Sequence, residues 1–86
     1  MTIYVIRWIN DDGKSAFLNN KEDTASDWLN SINTLCFNNK QEAKKYINRT
    51  VNSYTSLKGK LSVVTWQQAR DILNEDVQLA RLELLL

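Results

Sequence analysis

From Ile3 to Ile9 the chain is apolar except at Arg7, and Asn10-Asp11-Asp12-Gly13 follows at once. β-branched and aromatic side chains fit a pleated, half-buried backbone better than a helix. A run with no polar alternation predicts a strand covered on both faces, hence one near the centre of a sheet. Asn and Asp tolerate left-handed backbone, and Gly adopts positive φ without steric cost, so the tetrad predicts a tight hairpin turn. Lys14 to Leu18 then returns as a second strand. A chain that begins with such a hairpin is committed to an antiparallel sheet.

The rest of the pattern adds helices to that sheet. Asn19 to Asp23 is polar loop. Thr24 or Ser26 is placed to cap a short helix to about Ile32, with Trp28, Leu29 and Ile32 on one side. Thr34 to Phe37 reads as a short apolar strand. Asn38 or Asn39 caps a main helix over about Lys40 to Tyr54, where Ala43, Tyr46/Ile47, Thr50/Val51 and Tyr54 recur at helical spacing. Gly59 supplies a stop, and Lys60 to Val64 is a further strand. Thr65-Trp66-Gln67-Gln68 has the form of a capping box, so a helix over about 66–74 is expected, with Ala69, Ile72 and Leu73 facing inward. Residues 77–86 are ambiguous. In a helix Arg81 and Glu83 fall about 200° apart on a mostly apolar cylinder. In a strand they share one face, with Ala80, Leu82, Leu84 and Leu86 on the other. The strand is the tidier pattern, although Leu and Ala favour helix intrinsically. The expected fold is α+β. A small antiparallel sheet with an N-terminal β-hairpin carries the main helix on one face, with one or two short helices beside it.

The 86 residues make one domain, 1–86, with a single thin core. No apolar run approaches a membrane span, and Met1 to Ile9 does not have the form of a signal peptide. Cys36 is the single cysteine, so no internal disulfide is expected, and the compartment is read as the cytoplasm. Its apolar neighbours place it in the core.

Histidine is absent, which removes the usual general base at neutral pH and with it any Ser–His or Cys–His nucleophile. Turn chemistry accounts for Asp11 and Asp12. Asp71 and Glu75 share a helix face, as solvated charges commonly do. There is no metal-ligand spacing and no phosphate loop. The sequence therefore predicts no enzyme and no cofactor.

The charge is uneven. Residues 38–60 hold Lys40, Lys44, Lys45, Arg49, Lys58 and Lys60 against Glu42 alone, a local +5 in a chain of net +1. Lys40/Lys44 and Lys45/Arg49 are i,i+4 pairs of like charge, which cost a helix a little stability. They are the candidate partner-binding residues. Their use is to meet an acidic protein surface or a phosphate backbone, set against the plainer role of a solvated face. Trp66 joins them as a candidate interface anchor, because the first position after a helix cap often faces outward. The competing role for a side chain that large is packing over the edge of the sheet.

The segments "YVIRW", "DDGK", "DWL", "LCFNNKQEAKKYI" and "LSVV" together resemble small accessory proteins of phages and mobile elements, anti-CRISPR proteins among them. The likeness lies in layout: a first strand and hairpin, then a short strand entering a helix at Phe37 with Glu42-Ala43. The ten asparagines suit an AT-rich genome. The resemblance implies an inhibitor that binds a host defence protein or nucleoprotein complex, and it carries no site residue with it. Two other uses remain open: nucleic-acid binding through the basic segment, and self-assembly through an exposed strand at 77–86.

Overall fold

The computed structural model describes residues 1–21 and 24–85. Glu22 and Asp23 of the expected loop, and Leu86 of the expected last strand, lie outside the described residues. The fold is α+β. Strands β1 (Tyr4–Ile9), β2 (Ser15–Leu18), β3 (Ala25–Ser26) and β4 (Leu61–Thr65) form one antiparallel sheet in the order β3-β2-β1-β4. Helix α1 spans Lys40–Ser53 and helix α2 spans Trp66–Leu85, with a short 3-10 helix at Thr55–Leu57.

The first strand is central, as its apolar run predicts, and pairs with β2 on one side and β4 on the other. The turn forms as its residues dictate. Asn10 Oδ1 accepts from the amides of Asp12 and Lys14 at 3.0 Å, and Gly13 takes φ +79°. Alternation along the strands then sorts the side chains. Val5, Phe17 and Val64 face α2, where the fully buried Val5, Phe17 and Ala69 form a core with Leu29, Trp66, Ile72 and Leu73 packed around it. Ile6 and Trp8 face the other way, toward α1. The two helices thus lie on opposite faces of the sheet, and each places one fully buried alanine in the interior: Ala43 on α1 and Ala69 on α2.

Both helix starts match their sequence signals. Asn39 is the N-cap of α1, its side chain accepting from the Gln41 amide at 2.7 Å. At α2 the capping box closes in both directions. Gln68 N–H donates to Thr65 Oγ1 at 3.1 Å, and Thr65 N–H donates to Gln68 Oε1 at 2.9 Å.

Three local expectations are corrected. The helix over 24–32 is absent. Ala25–Ser26 instead pairs with β2, and the following turn is organised by Asn30, whose Oδ1 accepts from the amides of Ile32 and Asn33. Asn side chains that bond nearby amides offer the backbone an alternative to a helix, and here that alternative prevails. Of the three apolar residues assigned to that helix, Leu29 packs on the core, while Trp28 and Ile32 are exposed. The strand at 34–37 is reduced to two isolated bridges, Asn19 with Thr34 and Tyr4 with Phe37. The segment acts as a wedge between the end of β2 and the start of β1. Leu35 N–H donates to the Leu18 carbonyl, and Tyr4 and Phe37 exchange both backbone bonds. Cys36 within it is exposed, not a core residue. Finally, the strand over 77–86 is contradicted through Leu85, because α2 continues. Leu, Arg, Glu and Gln are good helix formers, and a helix already nucleated at its cap extends at little cost. No helix among the described residues is long and apolar enough to cross a membrane.

Candidate functional site

Helix α1 carries four of the six clustered bases, but the cluster is not one stripe. At 100° per residue, Lys40 and Lys44 sit about 140° around the helix from Lys45 and Arg49. Two of the six cations are also occupied. Lys45 pairs with Glu42 across one turn at 3.5 Å, both side chains well exposed. Lys60 Nζ donates to Asp11 Oδ1 at 2.7 Å, tying the entry of β4 to the hairpin turn. Exposed pairs of this kind contribute little stability, but they neutralise charge where they stand. Among the described residues, Lys40, Lys44, Arg49 and Lys58 make no ion pair.

The Asp11–Lys60 contact has a measurable signature. The hydrogen bond from Lys60, reinforced by its charge, holds the Asp11 carboxyl below the usual carboxylate range. A depressed folded-state value means that the pair stabilises the fold above the ordinary carboxylate pKa. That contribution disappears as pH falls through the folded value. An NMR titration of the Asp11 carboxyl is expected to show a low midpoint that returns to the ordinary range in Lys60→Met. An unchanged midpoint in that variant would show that the pair does not form in solution.

A concavity lies between α1 and the outer half of the sheet. Four strands at a spacing of roughly 4.8 Å make a sheet wider than one helix, which is about 10 Å across. Helix α1 packs against β1 and β4, which leaves the β2–β3 half of this face open. The result is an open cleft of 580 Å³. Trp8 and Leu18 rise from the strands, and Tyr46, Arg49, Thr50 and Ser53 descend from α1. The volume falls within the range of small-molecule pockets. Arg49 is held over the Tyr46 ring, its guanidinium carbon 5.7 Å from the ring centroid, and Tyr46 in turn packs on Phe37. The Thr50 hydroxyl donates to the Tyr46 carbonyl at 2.9 Å. The Trp8 indole Nε1 is buried and has no acceptor among the described residues. A buried donor left unsatisfied costs about 1–3 kcal/mol.

The remaining candidates separate cleanly. Trp66 is half-buried against the core cluster, so packing accounts for it. Trp28, placed from sequence on the apolar side of a short helix, is 56% exposed and is the tryptophan available to a partner. The Cys36 thiol donates to the Thr34 carbonyl at 3.3 Å, and partial desolvation raises its pKa, which disfavours the reactive thiolate. Asp71 and Glu75 are both exposed on α2, where Asp71 accepts from the Gln67 side chain. No three cysteine or carboxylate side chains among the described residues come together as metal ligands. The cleft itself escaped sequence reasoning. Its signal was the spacing of Tyr46, Thr50 and Tyr54, whose polar tips suit a half-open wall better than a sealed core.

Comparison with known proteins adds no family. No family model matches the chain, and no curated protein or solved structure is significantly similar to it. The fold and the surface carry the functional argument.

Proposed function

We propose that this is a non-catalytic binding protein that acts by occupying an acidic surface of a protein partner with the exposed flanks of α1. The observation that carries this reading is the set of four bases without an ion-pair partner among the described residues: Lys40, Lys44 and Arg49 on α1, and Lys58 just beyond it. Exposed cations raise encounter rates with an acidic surface and fix its register. Their distribution over two flanks of the helix suits separate carboxylates better than one continuous phosphate strand. The resemblance to phage-borne inhibitors suggests a host defence protein or nucleoprotein complex as the partner, and the exposed Trp28 supplies an apolar anchor of the kind such interfaces use.

The test is capture from a bacterial lysate by wild-type protein and by the triple variant Lys40→Glu, Lys44→Glu, Lys58→Glu. Wild type is expected to retain a stoichiometric protein that the variant loses, with association slowed about tenfold or more. Retention of no protein by wild type at low salt, or equal retention by both, overturns the reading. A second reading, single-stranded nucleic acid, is favoured by the stacked Arg49–Tyr46 pair, since aromatics beside bases hold unpaired strands. It predicts a gel shift that weakens steeply with salt.

A further inference from the structure

The cleft between α1 and the open half of the sheet is independent of the lysine-bearing surface, and its lining has a chemistry of its own. Trp8, Leu18, Ala25 and Leu57 are apolar or aromatic, and Tyr46 adds a second ring. Among the described residues of the lining, Arg49 is the single charged one. Its guanidinium already lies over the Tyr46 ring, so the cation is positioned before anything binds. A guanidinium presents parallel N–H donors that match a carboxylate or phosphate in two contacts. Arg49 is exposed, and the apolar part of the cleft beside it offers a place for the body of a ligand whose anion the fork holds. The Trp8 indole N–H is the second pointer. Trp8 lines the cleft, and its indole N–H is buried without an acceptor among the described residues, so an occupant that shifts the ring and offers an acceptor satisfies that donor.

We infer that this cleft is a binding site for a small aromatic anion, a flat apolar body carrying one carboxylate or phosphate. The ring lies against Trp8 and Leu18, the anion meets Arg49, and Ser53 supplies a hydroxyl at the edge. The inference goes beyond the proposed macromolecular role and does not depend on Lys40, Lys44 or Lys58.

The indole N–H of Trp8 is its own reporter. The protein is labelled with nitrogen-15, and its three tryptophan indole signals are assigned with Trp8→Phe and Trp28→Phe. It is then titrated with a panel of aromatic carboxylates, their neutral amides, and nucleoside 5′-monophosphates. Acids of the panel are expected to move the Trp8 indole and Arg49 Nε signals, leaving the Trp28 and Trp66 indoles in place. Apparent affinity is expected to be about 1 mM or tighter. The matched amides and Arg49→Gln are each expected to bind about tenfold or more weakly. Lys40→Gln and Lys58→Gln are expected to bind as wild type does. Whether the carboxylates or the monophosphates bind tighter identifies which anion the Arg49 fork prefers. The inference is overturned if no acid moves the Trp8 signal at about 1 mM, if the amides bind as well as the acids, or if Arg49→Gln leaves binding unchanged. Failure here leaves the lysate experiment untouched, because that experiment varies residues outside the cleft.

Discussion

Phe17→Ala is expected to lower stability by about 3–5 kcal/mol. Phe17 is completely buried in the middle of β2, and its Cα partners are Arg7 on β1 and Ser26 on β3. It is the largest of the three fully buried residues in the α2-side core, the others being Val5 and Ala69. Truncation removes the ring from a cluster that has little else with which to fill the space. The partly buried residues around it are anchored on α2, on β4 and in the turn region, so the cavity cannot close without moving whole elements. Small domains are stable by only about 5–15 kcal/mol, and each kcal/mol corresponds to about 4–8 °C in Tm at this size. The variant should therefore melt more than about 12 °C below wild type, by circular dichroism and in urea alike. A loss under about 1 kcal/mol would mean that the Phe17 ring is not the centre of the core.

Ala69→Leu is expected to destabilise by about 1–3 kcal/mol through the opposite fault, excess volume. Ala69 is fully buried where α2 lies on the sheet, against Val5 and Phe17. A methyl at this point lets helix and strand approach closely. Three further carbons must push α2 away or force off-rotamer side chains. Ala43→Leu on α1 poses the same problem on the other face, since Ala43 is equally buried. The control is Leu82→Ala on the outer part of α2, where the side chain is 56% exposed. That change should stay within about 0.5 kcal/mol. If Ala69→Leu melts with wild type while Leu82→Ala does not, the described seating of α2 on the sheet is incorrect.

Much of this fold was legible in the sequence, and the misses share a cause. The hairpin, the central first strand, α1 with its Asn39 cap, and the reciprocal cap at Thr65 and Gln68 each follow from strictly local chemistry. Position and residue type suffice for them. At 24–32 the bonds that Asn30 makes to the amides of Ile32 and Asn33 outweigh the helical spacing of the apolar residues. Through Leu85 the intrinsic helix preference of Leu, Arg, Glu and Gln outweighs the alternation of apolar residues. Trp28 and Cys36 lie outside the core because side-chain type alone does not report what covers a residue. Of the candidate site, the bases were legible, but the occupation of Lys60 by Asp11 was not. The two are 49 residues apart, and their contact exists only once β1 and β4 are paired. The cleft was invisible for the same reason, being built from a strand residue, a helix wall and the gap that a single helix leaves over a four-stranded sheet.

The order of the strands in the sheet also sets a timetable for synthesis. The first strand made is the central one, and its β4 partner is not translated until roughly fifty residues later. At ribosomal rates of about 5–20 residues per second, one edge of β1 stays open for roughly 3–10 s. The β1–β2 hairpin alone is at best marginally stable in water, and its apolar faces find cover only when α1 and α2 follow. Residues 1–18 of the nascent chain are thus the part most exposed to wrong pairing and to chaperone capture. Release from that state awaits the emergence of Leu61–Thr65.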